Sequence, residues 1–148
     1  VEFYSKTRGW NQYDPHITTV IQQGNRVIAH AAAIDKLIRI GSDSVRAAGV
    51  MNVFVLPAHR NNGYANIVVR AALEEALAQG FGIGLLFCKK WLEQVYRNTG
   101  WHRINGRSIT RIVAERELPL REHIISMYYP LRMKTLPAGD IHLEGNEW

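Results

Sequence analysis

The apolar pattern changes period at Pro57, and that change constrains the fold more than any other feature of the chain. Residues 17 to 23, 27 to 40 and 45 to 55 are runs rich in Thr, Val, Ile and Ala, separated by Gly24-Asn25 and by Gly41-Ser42-Asp43-Ser44. Turn residues between β-favouring runs predict three antiparallel strands in succession. Pro57 cannot donate to a ladder and stops the third. A polar loop, Ala58 to Gly63, follows. From Ala65 to Gln79, polar Asn66, Arg70 and Glu74 recur every four residues, while Ile67, Val68, Ala71, Ala72 and Ala76 fill the opposite face. This is the pattern of an amphipathic helix, and Gly80 is placed to end it in the left-handed conformation. The apolar run Gly82 to Cys88 reads as a buried strand parallel to the one before the helix, which completes a right-handed strand, loop, helix, strand unit.

A second helix is expected over residues 90 to 98, where Trp91, Leu92, Val95 and Tyr96 cluster on one side and Thr99-Gly100 ends it. Further strands are expected at 101–104, 108–114 and 124–132. The fold class is therefore mixed α+β, with antiparallel N-terminal strands followed by a parallel strand-loop-helix-strand unit. No repeat or linker-like stretch interrupts the chain, and 148 residues suit one domain spanning 1–148. A chain of this size removes roughly 70% of its unfolded surface from water, so it needs no staple. It opens on Val1 rather than Met, from which we expect an initial segment outside this numbering.

Composition excludes several classes. A lone Cys88 leaves no intramolecular disulfide and no Cys-based zinc pattern, and the six histidines lack metalloprotease spacing. No bound metal is expected. The net charge of +5 is spread along the chain without a run of five basic residues, a solvated basic surface compatible with a small polyanion rather than a specific nucleic-acid partner. No apolar run reaches membrane-spanning length and no signal-peptide pattern opens the chain, so a cytoplasmic protein is expected.

The loop Arg60-Asn61-Asn62-Gly63-Tyr64-Ala65 carries the most chemistry. Between a strand and a helix it can present up to six consecutive backbone N–H groups at the positive end of the helix dipole, which makes an anion site. A diphosphate suits it. Gly63 lets the backbone approach the oxygens, Ala65 lets the helix start press on the sheet, and Arg60 adds a fixed positive charge.

In this context residues 17 to 104 resemble the GNAT superfamily of acyl-CoA-dependent N-acyltransferases. Residues 60 to 65 match its [RQ]-x-x-G-x-[AG] loop, and Val95-Tyr96-Arg97-Asn98-Thr99-Gly100-Trp101 matches its helix ending in Tyr, then Gly and an aromatic. The resemblance implies acetyl-CoA, or a longer acyl-CoA, with its pyrophosphate on Arg60, Asn61, Asn62, Gly63, Tyr64 and Ala65. It implies backbone pairing of the pantetheine arm near Val53 to Val55, between strands that splay apart. It further implies Tyr96 as general acid for the departing thiolate, a primary amine of a small molecule as acceptor, and a homodimer. Val27 to Ile34 and the tail Ala138-Gly139-Asp140 with Trp148 are similar to aminoglycoside 2'-N-acetyltransferases. Nodulation-factor N-acyltransferases share a similar tail and an opening like Phe3-Tyr4-Ser5-Lys6-Thr7. By that similarity Asp140, Glu147 and Trp148 are candidate substrate-binding residues, with either Asp140 or Glu147 in the acidic role.

One departure stands out. Met51 occupies the position where the aminoglycoside enzymes carry a glutamate that serves the amine, and Val45 to Val55 contains no carboxylate. His30 and His59 are the alternative bases, each also readable as a structural or solvated side chain. Cys88 reads as a buried small hydrophobe, Trp10, Trp91 and Trp101 as core or rim aromatics, Glu115-Arg116-Glu117 as a solvated face, and Arg70 with Glu74 as a helical ion pair. The alternative to an enzyme is a non-catalytic acyl-CoA-binding or interaction domain that lacks a base.

Overall fold

The computed structural model describes residues 13–148. In chain order the elements are β1 (Ile17–Gln23), β2 (Arg26–Ile40), β3 (Asp43–Val55), α1 (Tyr64–Ala78), β4 (Ile83–Lys89), α2 (Glu93–Arg97), β5 (His102–Arg103), β6 (Ile109–Val113), β7 (Arg116–Pro119), β8 (Ile124–Pro130) and β9 (Ile141–Glu144). Short 3-10 turns at Pro57–His59 and Lys90–Leu92 lead towards α1 and α2. The second helix is therefore shorter than its sequence signal, because its first turn winds tightly. The opening motif Phe3 to Thr7 and Trp10 lie outside the described residues.

The nine strands among the described residues join one mixed sheet in the order β5-β8-β4-β3-β2-β9-β6-β7, with β1 also paired to β2. β2 and β3 form a long antiparallel hairpin from Ile40↔Asp43 to Ala29↔Val55. β3 and β4 are parallel but pair only at Ala47↔Ile83, Ala48↔Gly84 and Gly49↔Leu85. Past that rung β4 follows β8 down to Lys89↔Ile124 and leaves β3 behind. The hairpin carries a bulge close by: Ala32 faces Met51 and His30 faces Phe54, so Asn52 and Val53 stand opposite one residue of β2. Asn52 has φ of 53°, a left-handed conformation that asparagine tolerates better than most residues. A bulge of this kind bends its strand and tightens its twist.

α1 covers one face of the sheet. It buries Val68, Val69, Ala72, Leu73 and Ala76 against Ala29, Ala31, Ala33, Ala48 and Val50. The small sheet residues let the helix sit close, and each large side chain so buried contributes about 1.5–3 kcal/mol. The buried stripe is rotated from the one read in the sequence, since Ile67 is 52% exposed and Ala71 is also exposed. Residues 67, 71, 75 and 79 share one row of the helix, and Glu75 and Gln79 make it polar, whereas Val69 and Leu73 continue an apolar row. The other sheet face packs Ile38, Ile40, Val45, Ala47, Ile83, Leu85, Ile141 and Leu143.

Two strands went unread in the sequence. β7 contains Arg116 and Glu117, whose side chains are exposed as a solvated face should be, while their backbone pairs with β6. β9 lies inside the segment read as a substrate-binding tail, and it pairs with β2 and, in parallel, with β6. Among the described residues, no helix is long and apolar enough to cross a membrane, and no group of three or more His, Cys, Asp or Glu is placed to hold a metal ion.

Candidate active site

Because β3 and β4 are parallel, their C-terminal ends reach the same edge of the sheet, and the gap between them opens towards that edge. The loop after β3 lies at this opening. Gly63 caps α1 with φ of 75°, a value glycine adopts without penalty, and the first helical bond runs from Ile67 N–H to Gly63 C=O at 3.2 Å. The amides of Tyr64, Ala65 and Asn66 thus precede the first intrahelical donor. Among the described residues, no backbone carbonyl accepts from the amides of Asn61, Asn62 or Gly63 either. Six consecutive donors are left for an anion. Asn61 adopts φ of 64°, and the Asn62 side chain donates to the carbonyls of His59 and Arg60 at 3.1 and 3.2 Å, which ties the loop to itself. Arg60 Nε donates to the Val55 carbonyl at 3.1 Å, so one Val55 lone pair is engaged while the Arg60 side chain is anchored over the strand end.

Tyr96 follows β4 on α2 and packs against the core on the α1 side of the sheet. It closes the last turn of α2, where its carbonyl accepts from the amides of Thr99 and Trp101 and from the Thr99 hydroxyl. Its ring meets Trp101 edge-on, with centroids 5.9 Å apart. Trp101 is itself 2% exposed, so the tyrosine rests on a fixed wall. Burial pushes the Tyr96 phenol up to about 12, with a further push from any negative charge at Cys88. The Cys88 thiol is pushed up to about 11, first by burial and then by Glu93, against the opposing pull of Arg103. Both groups are protonated at neutral pH.

The opposite sheet face is built by Met51, Phe87 and Trp148. The Trp148 indole lies on Gly49, the last β3 residue paired to β4, and meets Phe87 edge-on at 4.9 Å. Ala32, Ile34 and Met51 pack beside it. The Trp148 Nε1 and the Asn52 Oδ1 are buried without hydrogen-bond partners. Glu147 is not exposed to solvent: its side chain is 5% accessible and its carboxylate stands 3.2 Å from Arg111 Nε and 3.2 Å from Arg121 Nε. These are ion pairs at angles outside hydrogen-bond geometry. The structure does not bring Asp140 to this region. Asp140 accepts from the Ser108 amide at 2.8 Å, and its carbonyl accepts from Gly41. Gly41 turns into the start of β3, about 40 Å along that strand from the loop at its end.

Neither histidine is free of local duties. His30 Nδ1 is 2.8 Å from the Asn52 carbonyl and the ring stacks on Phe54 at 5.3 Å, while His59 ends the 3-10 turn ahead of the loop. Trp91, expected at a rim or in the core, is instead 73% exposed. Sequence reasoning missed Asn52, Phe87 and Arg111, since a bulge, a cross-face ring contact and a buried ion pair have no local signature.

A model of the acetyltransferase (GNAT) domain family matches residues 2–104, more than half of the chain. The chain belongs to the GNAT acetyltransferase family. No curated protein matches it. Among solved structures, this GNAT chain is similar to the N-acetyltransferase YhbS of Escherichia coli in complex with CoA, at 12% identity and a TM-score of 0.64, over 91% of this chain and 70% of that one. A GNAT acetyltransferase of Brucella melitensis in complex with acetyl-CoA aligns at 18% identity and TM-score 0.57, over 95% and 72%. A GCN5-related N-acetyltransferase from Kribbella flavida reaches 27% identity at TM-score 0.53, over 57% of this chain and 21% of that chain. The chain thus spans about a fifth of the Kribbella protein's length. The GNAT acetyltransferase family uses acetyl-CoA, and six unengaged amides at the strand divergence fit a diphosphate. Nothing in these similarities points to the aminoglycoside or nodulation-factor subtypes.

Proposed function

We propose that the protein transfers the acetyl group of acetyl-CoA to a primary amine of a small molecule by direct attack in a ternary complex. One observation carries the reading: β3 and β4 part company at Gly49 and Leu85, at the edge where the amides of residues 61 to 66 have no partners. Acetyl-CoA supplies an activated thioester carbonyl and a diphosphate. The loop amides and Arg60 hold the diphosphate, and the backbone of Val53 to Val55 lies along the pantetheine arm. Tyr96 gives its phenolic proton to the departing thiolate, a role its burial supports by keeping the hydroxyl protonated. Cys88 is no nucleophile in this reading, because a thiol with its pKa pushed up to about 11 stays neutral. With Met51 in place of a carboxylate and His30 committed to Asn52 and Phe54, the amine attacks as the free base that water leaves it, and the proton its nitrogen sheds on forming the amide passes through water to restore the Tyr96 phenol.

Titration calorimetry with acetyl-CoA, together with single-turnover acetylation, tests this on the wild type, Gly63→Asp and Tyr96→Phe. Nothing lies within 4 Å of a Cβ at Gly63, and Asp visits left-handed backbone more readily than most residues, so the substitution adds a carboxylate beside the proposed diphosphate site at the cost of some backbone strain. Affinity is expected to fall at least about tenfold, the effect of losing one charge-assisted hydrogen bond. Tyr96→Phe keeps its affinity and loses about 10²- to 10⁴-fold in turnover. A wild type that fails to bind acetyl-CoA would falsify the proposal. Met51 favours a second reading, a non-catalytic acyl-CoA-binding domain, and a wild type that binds acetyl-CoA yet turns over no faster than Tyr96→Phe would establish it.

A further inference from the structure

The end of β4 and the segment leading into β8 border an open surface pocket of about 580 Å³ lined by the exposed residues Lys89, Lys90, Trp91 and His123. Lys89 pairs with Ile124 on the last rung of β4 and β8, so the pocket sits at the sheet edge where the gap between β3 and β4 opens. Strand alternation places Lys89 on the face of Phe87, the face that carries Trp148 and Met51 and lies away from α1. The pocket thus shares its sheet edge with the loop that follows β3.

Its charge is one-sided. Among the described residues, neither Lys89 nor Lys90 takes part in an ion pair, and the Lys89 ammonium stands 5.6 Å from the Trp91 ring centroid. The nearby acids are already engaged or fully solvated. Glu93 holds Arg103 at 2.8 Å and Arg97 at 3.8 Å, Glu147 is enclosed by Arg111 and Arg121, and Glu122 projects into water 4.0 Å from His123. Of these acids only Glu122 lacks a Lys or Arg partner, and it is almost fully in water, so the two ammonium groups dominate the pocket's charge. Trp91 holds its indole in solvent at 73% exposure, with Val95 one turn further on at 56%. An uncovered aromatic face beside two unpaired ammonium groups suits a flat or apolar body that bears an anion.

We infer that this pocket receives the acceptor, and that the acceptor amine carries an anionic group set against Lys89 and Lys90 and an apolar body lying on Trp91. The inference rests on the acetyl-transfer reading above and narrows its substrate class away from polycations. Matched probes test it. Gly-Phe against its C-terminal amide reads out a carboxylate, O-phosphotyramine against tyramine reads out a phosphate, and kanamycin serves as a polycation without an anion. In the wild type at least one anionic probe is expected to exceed its neutral partner about tenfold in kcat/KM, the gain of one charge-assisted contact, with the difference in KM. In the Lys89→Gln/Lys90→Gln double variant that preference falls to about unity, while the acetyl-CoA Kd is unchanged. Trp91→Ala raises KM for charged and neutral probes alike. Equal use of the neutral partners, preference for kanamycin, or no turnover of either anionic probe overturns the inference. So does a double variant whose acetyl-CoA affinity drops by the same factor, because the lysines would then serve the donor's phosphates. If the wild type binds no acetyl-CoA, the acetyl-transfer reading itself falls; if it binds but shows no anion preference, only the acceptor class falls.

Discussion

Replacing Gly49 by alanine probes how Trp148 is seated at the strand divergence. A Cβ on Gly49 would come 2.5 Å from Trp148 Cε2, 2.6 Å from its Cζ2 and 2.7 Å from Ile34 Cγ1. The cost is steric, since the Gly49 backbone is not left-handed. Overpacking a tight site costs about 1–3 kcal/mol, and three sub-van-der-Waals contacts place this one near about 3 kcal/mol. Unfolding a chain of 148 residues carries an entropy that converts each kcal/mol into roughly 3 °C, so Tm should fall by roughly 9 °C. Trp148→Ala alone forfeits the edge contacts with Phe87 and Tyr13, at a cost of about 3 kcal/mol for a large aromatic at a partly exposed site. In that background the alanine at 49 meets only Ile34, so its own cost should shrink to about 1 kcal/mol and the two substitutions should couple by about 2 kcal/mol. Urea titrations followed by circular dichroism give the four stabilities without relying on the deleted fluorophore. Costs that add to within about 0.5 kcal/mol would mean that Trp148 is not lodged on Gly49.

Alkaline pH should destabilise the fold. Cys88 and Tyr96 are pushed up from 9.0 to about 11 and from 10.0 to about 12, so between pH 9 and 12 the unfolded chain binds fewer protons than the folded one and stability falls as pH rises; about 2 kcal/mol per group is lost across its window. Urea midpoints from pH 8 to 11 check this, and Cys88→Ala should flatten the slope above pH 9. Under the proposed mechanism, in which the amine attacks as a free base, kcat/KM should rise about tenfold per pH unit up to the amine's own pKa, without a plateau set by histidine near pH 6.5. His30→Gln should leave that profile in place. Glu147→Gln leaves the Arg111 guanidinium, 12% exposed, with only neutral acceptors in the Pro119 carbonyl and the Asn146 side chain, and should cost about 3 kcal/mol, against a much smaller loss for Arg121→Gln at the 57% exposed partner.

The loop and the helix after it were legible because each boundary is punctuated by a residue with one local job. Pro57 ends a ladder, Gly63 supplies a positive φ, and the period shifts from two to nearly four within ten residues. The hairpin β2–β3 was legible for the same reason, as Gly41 turns it with φ of 57°. β7 and β9 were not, since their strand character lies in partners far along the chain: Ile141 is a strand residue because Ile40 and Ile109 flank it. Glu147 shows the same limit in a side chain. An acid near a basic surface reads as a cation receiver, and only the fold brings Arg111 and Arg121 around it. The rotation of α1 was half legible, because an apolar count cannot distinguish the row ending in Glu75 and Gln79 from the row holding Leu73.

The location proposed for the donor site follows from strand direction and one bulge. β3 must run antiparallel to β2 and parallel to β4, and a parallel neighbour requires a crossover, here α1, whose N-terminus falls at the C-terminal edge of both strands. Doubling Asn52 and Val53 against a single β2 residue bends β3 just past its last rung with β4. β4 keeps its own pairing with β8 over all seven residues and does not follow the bend. The β4-facing edge of β3 therefore has no strand partner beyond Gly49, beside a helix start whose six amides are equally unengaged. An unpaired strand edge beside unengaged helix-start amides suits an extended, hydrogen-bonding occupant with an anion at the helix end, which the proposed placement of a pantetheine arm joined to a diphosphate would supply.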